Sequence, residues 1–507
     1  MKKVNKFIND LIDATNIGYT ENGAIKRNTT KSDLLDMFAL GGAMRNRSND
    51  DIILLFQNAF LENPEYALKC LFYLRDVRGG QGERRFFRTI VTYLACTETE
   101  AMRRNMQYIP EFGRWDDLYA LMDTPMEEEM FAFMKEQLVL DVQCNTPSLL
   151  AKWLKSENTS SIVSRRQGER TRKAFGMTAK QYRKTLSILR SRINIVEKLM
   201  SENRWDEIEF DKIPSRAGLI YKNAFARRDI IKQKYETFAK DTTTKVNAEV
   251  LNPVDIVERI FGSIGWHRSP SEVDIAMFQK YWDNLKDYYN GREERGIAVV
   301  DVSGSMCGTP MNAALGMGAY IAERGKGPFA NHFITFSADP QLVKFEGINI
   351  VDKFERARGA QWGMNTNLEK TFDLLLNVAL QNRTPANEMP ETLYIFSDME
   401  FDEALTNNSS LSKGRGWGYE TFHTMDRDGI TTLMEDIAAK WAKHGYEIPR
   451  VIFWNLDARQ NNIPALGDKF SYVSGFSMTM IEQILSGKDG LALMFEKLNT
   501  ERYACIK

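Results

Sequence analysis

The hydrophobic pattern changes character near residue 295. From about 32 to 290, apolar positions return every three or four residues, the period of amphipathic helices, in one element after another. Asn63-Pro64-Glu65 predicts an N-cap followed by proline at the first helical position, with Leu68, Leu71, Phe72 and Leu74 as the buried stripe behind it. Residues 81–96 and 126–141 are patterned alike. Thr178 predicts the cap of a long helix. Its apolar positions Tyr182, Leu186, Leu189, Ile193 and Val196 fall on one face, with Lys180, Lys184, Ser187 and Ser191 opposite. Helices joined by short polar turns predict a HEAT-like helical repeat, a solenoid or a ring of hairpins, although no exact repeat period is visible. Residues 157–176, polar and Arg-rich, break the pattern and predict an exposed loop.

Beyond 295 the apolar residues gather into short runs: Ile297–Val300, Phe333–Phe336, Leu393–Phe396 and Val451–Trp454. Helical stretches at 310–324, 367–380 and 431–444 separate them. Strands alternating with helices predict a doubly wound, Rossmann-like α/β sheet, whose ligands bind at the carboxyl ends of the strands. The expected division is therefore an all-helical domain over 1–292 and an α/β domain over 293–507.

Composition adds constraints. With 43% hydrophobic and 27% charged residues in 507, the chain is neither a rod nor a disordered polymer. No run of about 18 apolar residues predicts a membrane span. The N-terminal stretch MKKVNKFINDLIDATN has no long apolar core or small-residue cleavage site, so no secretory signal is expected. Five scattered cysteines without CxxC spacing point to a reducing, cytoplasmic compartment rather than a disulfide framework or a thiolate zinc site. The four histidines are far apart and form no HExxH.

The net charge of −1 conceals a basic segment. Residues 151–240 hold 22 Lys/Arg against 10 Asp/Glu, about +12 inside an otherwise acidic chain. Such a block suits a polyanion, nucleic acid being the commonest, or else is a solvated helical face. The candidate RNA-contacting residues are Arg165, Arg166, Arg170, Arg172, Lys173, Arg183, Lys184, Arg190 and Arg192. Phe175 and Tyr182 are candidate stacking groups, Tyr182 fitting the core better.

Asp301-Val302-Ser303-Gly304-Ser305 closes the first apolar run as a DxSxS loop. One carboxylate and two hydroxyls on one turn suit a hard divalent cation, and an ordinary N-cap is the alternative. Thr366, at the start of the 367–380 helix, offers a third hydroxyl. Asp398, in LYIFSDME, offers a second carboxylate at the end of another strand. Glycines 79, 80 and 82 of RGGQGER lack both the GxGxxG spacing and the Lys-Ser/Thr of a phosphate loop, and read as a tight turn between helices. Trp115-Asp116-Asp117 reads as acidic residues at a helix start, and Cys307 as a packing residue.

In this order the DxSxS loop, the Thr at a helix start and the strand ending in Asp resemble the von Willebrand factor A domain. The resemblance covers roughly 293–480 and implies a metal-ion-dependent adhesion site at Asp301, Ser303, Ser305, Thr366 and Asp398. That site would hold Mg²⁺, or Mn²⁺ or Ca²⁺, and take a partner's carboxylate. Where the family often has Gly-Gly before its Thr, Met364-Asn365 follow Gly363 here. The N-terminal phrases DVRGGQGER, FGRWDDLY, AKWLKSENTSS, MTAKQYRKTLSILRSRINIVEKLM and RWDEIEFDKIPSRA, placed ahead of such a domain, resemble the TROVE module of Ro-type ribonucleoproteins. They resemble more closely a two-part family of uncharacterised viral, bacterial and plant proteins. The Ro resemblance implies a ring of helical repeats whose basic surface and central hole bind structured RNAs and single-stranded RNA ends. The functions in view are an RNA-binding ribonucleoprotein component and a metal-dependent protein adaptor. A metal-dependent hydrolase is disfavoured, because no second carboxylate cluster or general base stands near the loop apart from Glu400.

Overall fold

The computed structural model describes residues 15–507 except 194, 264–268, 337–338, 360–366, 403–431 and 489. A short hairpin, β1 (Ile17–Tyr19) and β2 (Ile25–Arg27), precedes a helical region that runs to about 290. Its longer helices are α1 (Asp33–Leu40), α2 (Asn49–Glu62), α3 (Pro64–Arg75), α4 (Arg85–Thr97), α5 (Glu127–Gln143), α6 (Ile162–Ala174), α7 (Ala179–Arg192), α8 (Ser215–Arg227), α9 (Asp229–Lys240), α10 (Pro253–Ser263) and α11 (Glu272–Asp283).

The expected local signals operate. The Asn63 side chain accepts from Tyr66 N at the start of α3, with Pro64 at the first position. Thr178 and Gln181 form a reciprocal capping box at the start of α7, whose buried face is Tyr182, Leu186 and Leu189.

Residues 162–174 form α6 rather than a loop. Ser161 caps it, and its Arg, Lys, Glu and Gln are good helix formers. The apolar stripe is missing because the buried face is made of small and polar residues. A Cβ on Gly168 would stand 2.8 Å from Lys155 O, so only glycine admits this approach to the 155–157 backbone. The Thr171 hydroxyl lies 3.0 Å from Tyr119 Oη.

The C-terminal half is built on a six-stranded sheet in the order β5-β4-β3-β6-β7-β8. Its strands are β3 (Gly296–Asp301), β4 (His332–Phe336), β5 (Gln341–Lys344), β6 (Thr392–Ser397), β7 (Arg450–Asn455) and β8 (Phe470–Ser474). All neighbours are parallel except β4 and β5. Helices α12 (Thr309–Arg324), α13 (Ile350–Arg358), α14 (Leu368–Asn382), α15 (Leu433–Lys443) and α16 (Gly490–Leu498) accompany it. The four expected runs are β3, β4, β6 and β7. Because the chain leaves β3 to β4 on one side and later pairs β6 on the other, the carboxyl end of β3 is a switch point, where open α/β sheets form a crevice.

Packing crosses residue 292. Arg27 and Ile463 exchange backbone hydrogen bonds at 2.8 and 3.1 Å, and the Thr20 hydroxyl donates to Phe401 O at 2.6 Å. Gly42 N donates to Ser474 Oγ at 2.9 Å, and a Cβ on Gly42 would lie 2.7 Å from Ser474 O. Near the other end, the Tyr503 hydroxyl donates to buried Asp76 at 3.0 Å and Arg502 pairs with the same carboxylate.

Candidate functional site

Two places concentrate chemistry. The first is the carboxyl end of β3 and β6. Asp301 is fully buried. Its Oδ1 accepts from Ser303 N at 2.9 Å and its Oδ2 from the Ser397 hydroxyl at 2.6 Å. The Ser303 and Ser305 hydroxyls are 2.9 Å apart. Asp398 is also fully buried; its Oδ1 accepts from Glu400 N at 3.2 Å, and its Oδ2 has no hydrogen-bond partner. Next to it Met399 holds φ +63°, a left-handed conformation that a non-glycine residue adopts at a cost of about 1–3 kcal/mol and that recurs at functional sites.

Burial, reinforced by the neighbouring Asp398 charge, pushes the Asp301 carboxyl up to about 7. Burial also raises Asp398, against the opposing pull of Ser305 and Arg459. A cation would relieve both. Two carboxylates and two hydroxyls, with Asp398 Oδ2 making no hydrogen bond, are a hard-cation donor set. Among the described residues no group of three or more His, Cys, Asp or Glu gathers, so a softer or carboxylate-rich centre is not assembled. Thr366 lies outside the described residues.

Arg459, after β7, borders this site. It donates to Ser305 O and stands 3.5 Å from Asp398 Oδ2 and 3.4 Å from Asp457. No sequence motif marked it. Glu400 instead ties down the β1–β2 hairpin: its Oε2 accepts from Glu21 N at 2.7 Å and its backbone carbonyl from Asn22 Nδ2 at 2.7 Å. Cys307 is exposed rather than packed.

The second place is a cavity of about 1230 Å³ between the helical region and the loop after β8. Cations dominate its wall, with Arg75, Arg84, Arg88, Arg114 and Lys152 prominent, and Trp115 and Trp153 are partly exposed in it. The RGGQGER turn forms one side. Gln81 fixes this turn: its Nε2 donates to Tyr73 Oη at 2.7 Å and its Oε1 accepts from Ser477 N at 3.1 Å. Asp116 and Asp117 stand in the first turn of a short helix, Trp115–Leu121, as expected, and are in addition buried anchors for arginines. Arg75 pairs with Asp117 at 2.7 Å, Arg88 with both carboxylates, and Arg114 with Asp116 at 2.9 Å. The Arg114 guanidinium lies 4.0 Å above the Trp153 ring.

The basic candidates on α6 and α7 divide into two sets. Arg165, Arg166 and Lys184 are exposed. Arg183 donates to Ala179 O and lines a 630 Å³ groove beside α7. Arg170 pairs with Asp123 and Glu127, Arg172 with Glu157, and Lys173 with Glu169. Arg190 donates to Ala151 O, Leu154 O and Ser156 Oγ, fixing α7 to the 150–156 segment. Arg192 reaches the Val142 and Cys144 carbonyls. Phe175 and Tyr182 are core residues, the Tyr182 hydroxyl donating to Lys155 O at 2.9 Å.

The family described as "Domain of unknown function (DUF2828)" matches residues 20–149 and 137–288. The chain belongs to the DUF2828 family. A second match, "Domain of unknown function (DUF7788)", covers 295–502 of this DUF2828 protein. An uncharacterised protein of Acanthamoeba polyphaga mimivirus is 30% identical over 522 residues, covering 94% of this chain and 85% of its own length. Among solved structures, the RO (RSR) protein of Deinococcus radiodurans is similar at 16% identity and a TM-score of 0.48, with 93% of this chain and all of that one covered.

Proposed function

We propose that this protein binds single-stranded RNA in the arginine-lined cavity, as a ribonucleoprotein component rather than an enzyme. In this reading the helical half forms a ring around the cavity, and a von Willebrand A-like half closes it. The observation that carries the reading is the wall itself, where guanidinium groups stand beside two partly exposed tryptophans. Cations that follow a phosphate chain, interleaved with aromatic faces on which bases stack, are the chemistry of single-strand recognition. The TROVE resemblance of the sequence points the same way. Arg165, Arg166, Arg183 and Lys184 extend the positive surface outside the cavity and suit the phosphates of a longer RNA. Five unpaired cysteines fit a reducing, cytoplasmic setting. Among the described residues no helix is long and apolar enough to cross a membrane.

The test is equilibrium binding of a labelled single-stranded RNA across salt, with duplex DNA as control. Preferential RNA binding whose log affinity falls by about 0.7 per neutralised phosphate for each tenfold rise in salt supports the reading. Binding indifferent to nucleic-acid type refutes it.

A second reading accompanies the first, because fully buried Asp398 Oδ2 makes no hydrogen bond and has only the longer, 3.5 Å ion pair to Arg459 among the described contacts. Asp301, Ser303, Ser305 and Asp398 would hold Mg²⁺, or Mn²⁺ or Ca²⁺, with Thr366 as the further hydroxyl that the sequence suggests. The ion would supply a positive centre for an acidic residue of a partner protein. Calorimetric titration with Mg²⁺ of the wild type and of Asp301→Asn tests it: heat in both, or in neither, removes the assignment.

A further inference from the structure

Charges on and just behind one wall of the cavity do not cancel. Arg75, Arg88, Arg114 and Lys155 share two carboxylates, Asp116 and Asp117. Arg84, at the start of α4, faces the cavity and makes no side-chain hydrogen bond or ion pair among the described residues; Arg114, Arg88 and Arg75 repel it and Asp116 attracts it more weakly. Five cations thus meet two anions, an excess of three. Of the carboxylates that line the cavity, Glu83 pairs with Arg45 at 3.0 Å and Glu197 with Lys152 at 3.6 Å, while Glu249 is exposed and forms no ion pair with this cluster among the described residues. Burial and mutual repulsion hold the Arg84 guanidinium below its ordinary pKa, and burial and the same arginines hold Lys155 below its own. Packing does not call for this arrangement: Arg84 is exposed, and among the described residues nothing holds its guanidinium fork, which is open to an incoming anion.

We propose that Arg84, Arg88 and Arg114 form a subsite for a terminal phosphate monoester of an RNA strand, with the adjoining base against Trp153 or Trp115. The subsite rests on the RNA reading above and adds the group that the cavity selects. A backbone diester carries one charge. A monoester carries about 1.5 to 2 at neutral pH and presents three acceptor oxygens, a closer match to an excess of three positive charges held on guanidinium forks. The same chemistry is available at a 5′ or a 3′ end, and the two ends are separated by experiment.

One single-stranded RNA sequence is prepared with a 5′-phosphate, with a 3′-phosphate, and with hydroxyls at both ends. Each is titrated into the full-length protein and into Arg84→Ala and Arg84→Lys. A phosphorylated end is expected to bind at least about tenfold more tightly than the dihydroxyl strand, and the favoured arm names the end. Arg84→Ala brings the ratio of the two constants toward one, whatever it does to overall affinity. Arg84→Lys, charged but without the fork, gives an intermediate ratio. Unchanged melting of the variants confirms that folding is not the cause. Equal binding of all three strands by the wild type overturns the subsite and leaves the RNA reading standing. Absence of binding to every strand overturns the RNA reading and the subsite with it.

Discussion

Raising the pH in the absence of divalent cations should destabilise this protein through Asp301. The folded carboxyl titrates at about 7, whereas an exposed Asp titrates near 3.9. The folded state therefore holds the proton more tightly than the unfolded chain. Its contribution is fully present below the unfolded pKa and is lost as pH rises through the folded one, between about 4 and 7. At about 1.4 kcal/mol per unit, a gap of roughly three units removes about 4 kcal/mol over that window. Asp398 shifts in the same direction. A cation bound there would need the ionised carboxylates and offset their repulsion, so on the proposed metal reading Mg²⁺ should stabilise strongly at pH 8 and weakly at pH 5. Urea denaturation in chelator and in Mg²⁺, followed across that range, measures both effects. Asp301→Asn keeps the shape and can still bond Ser397; it should flatten the pH dependence and abolish the Mg²⁺ gain. A Mg²⁺ gain equal at pH 5 and pH 8, or an unchanged slope in Asp301→Asn, refutes the reasoning.

Other outcomes follow from the cavity and its supports. Arg75→Ala removes one of the two guanidinium partners of fully buried Asp117, which keeps Arg88, and should cost about 1.5–3 kcal/mol in denaturant titration, more than Arg84→Ala. Trp153→Ala removes a stacking face and should weaken single-stranded RNA binding by about tenfold in anisotropy titrations, with little change in the salt slope. Replacing Arg165 and Arg166 together should lower that slope without altering stability. Arg190→Ala should lower the melting temperature first, since its guanidinium holds Ala151, Leu154 and Ser156.

The sequence exposed whatever depends on local pattern. Asn63-Pro64 and Thr178 announced their helices, and the apolar runs announced β3, β4, β6 and β7, because caps and periodicity act within a few residues. Strand β5 was missed because it lies at the sheet edge with an exposed Leu342, and β8 because Ser471 and Ser474 break up Phe470, Tyr472 and Val473 so that no apolar run forms. Helix α6 was missed because it buries Gly168 and Thr171 instead of a hydrophobic stripe. The two carboxylates and two serines at the sheet end were visible as motifs. Arg459 was not, since nothing near it in the chain signals that the β7 loop returns to Asp398. The cavity was least legible of all. Its wall is collected from segments as distant as Arg45 and Thr479, and the basic excess at 151–240 drew attention to arginines that are largely paired within the fold.

The most direct measurement is ultraviolet cross-linking of a single-stranded RNA to the full-length protein, with the attachment sites mapped by mass spectrometry. The account predicts cross-links on peptides bearing Trp115 and Trp153 and on the Arg78–Arg88 turn, competed away by unlabelled RNA. Cross-links confined to α6 and α7, or to the β3–β6 end of the sheet, would contradict it.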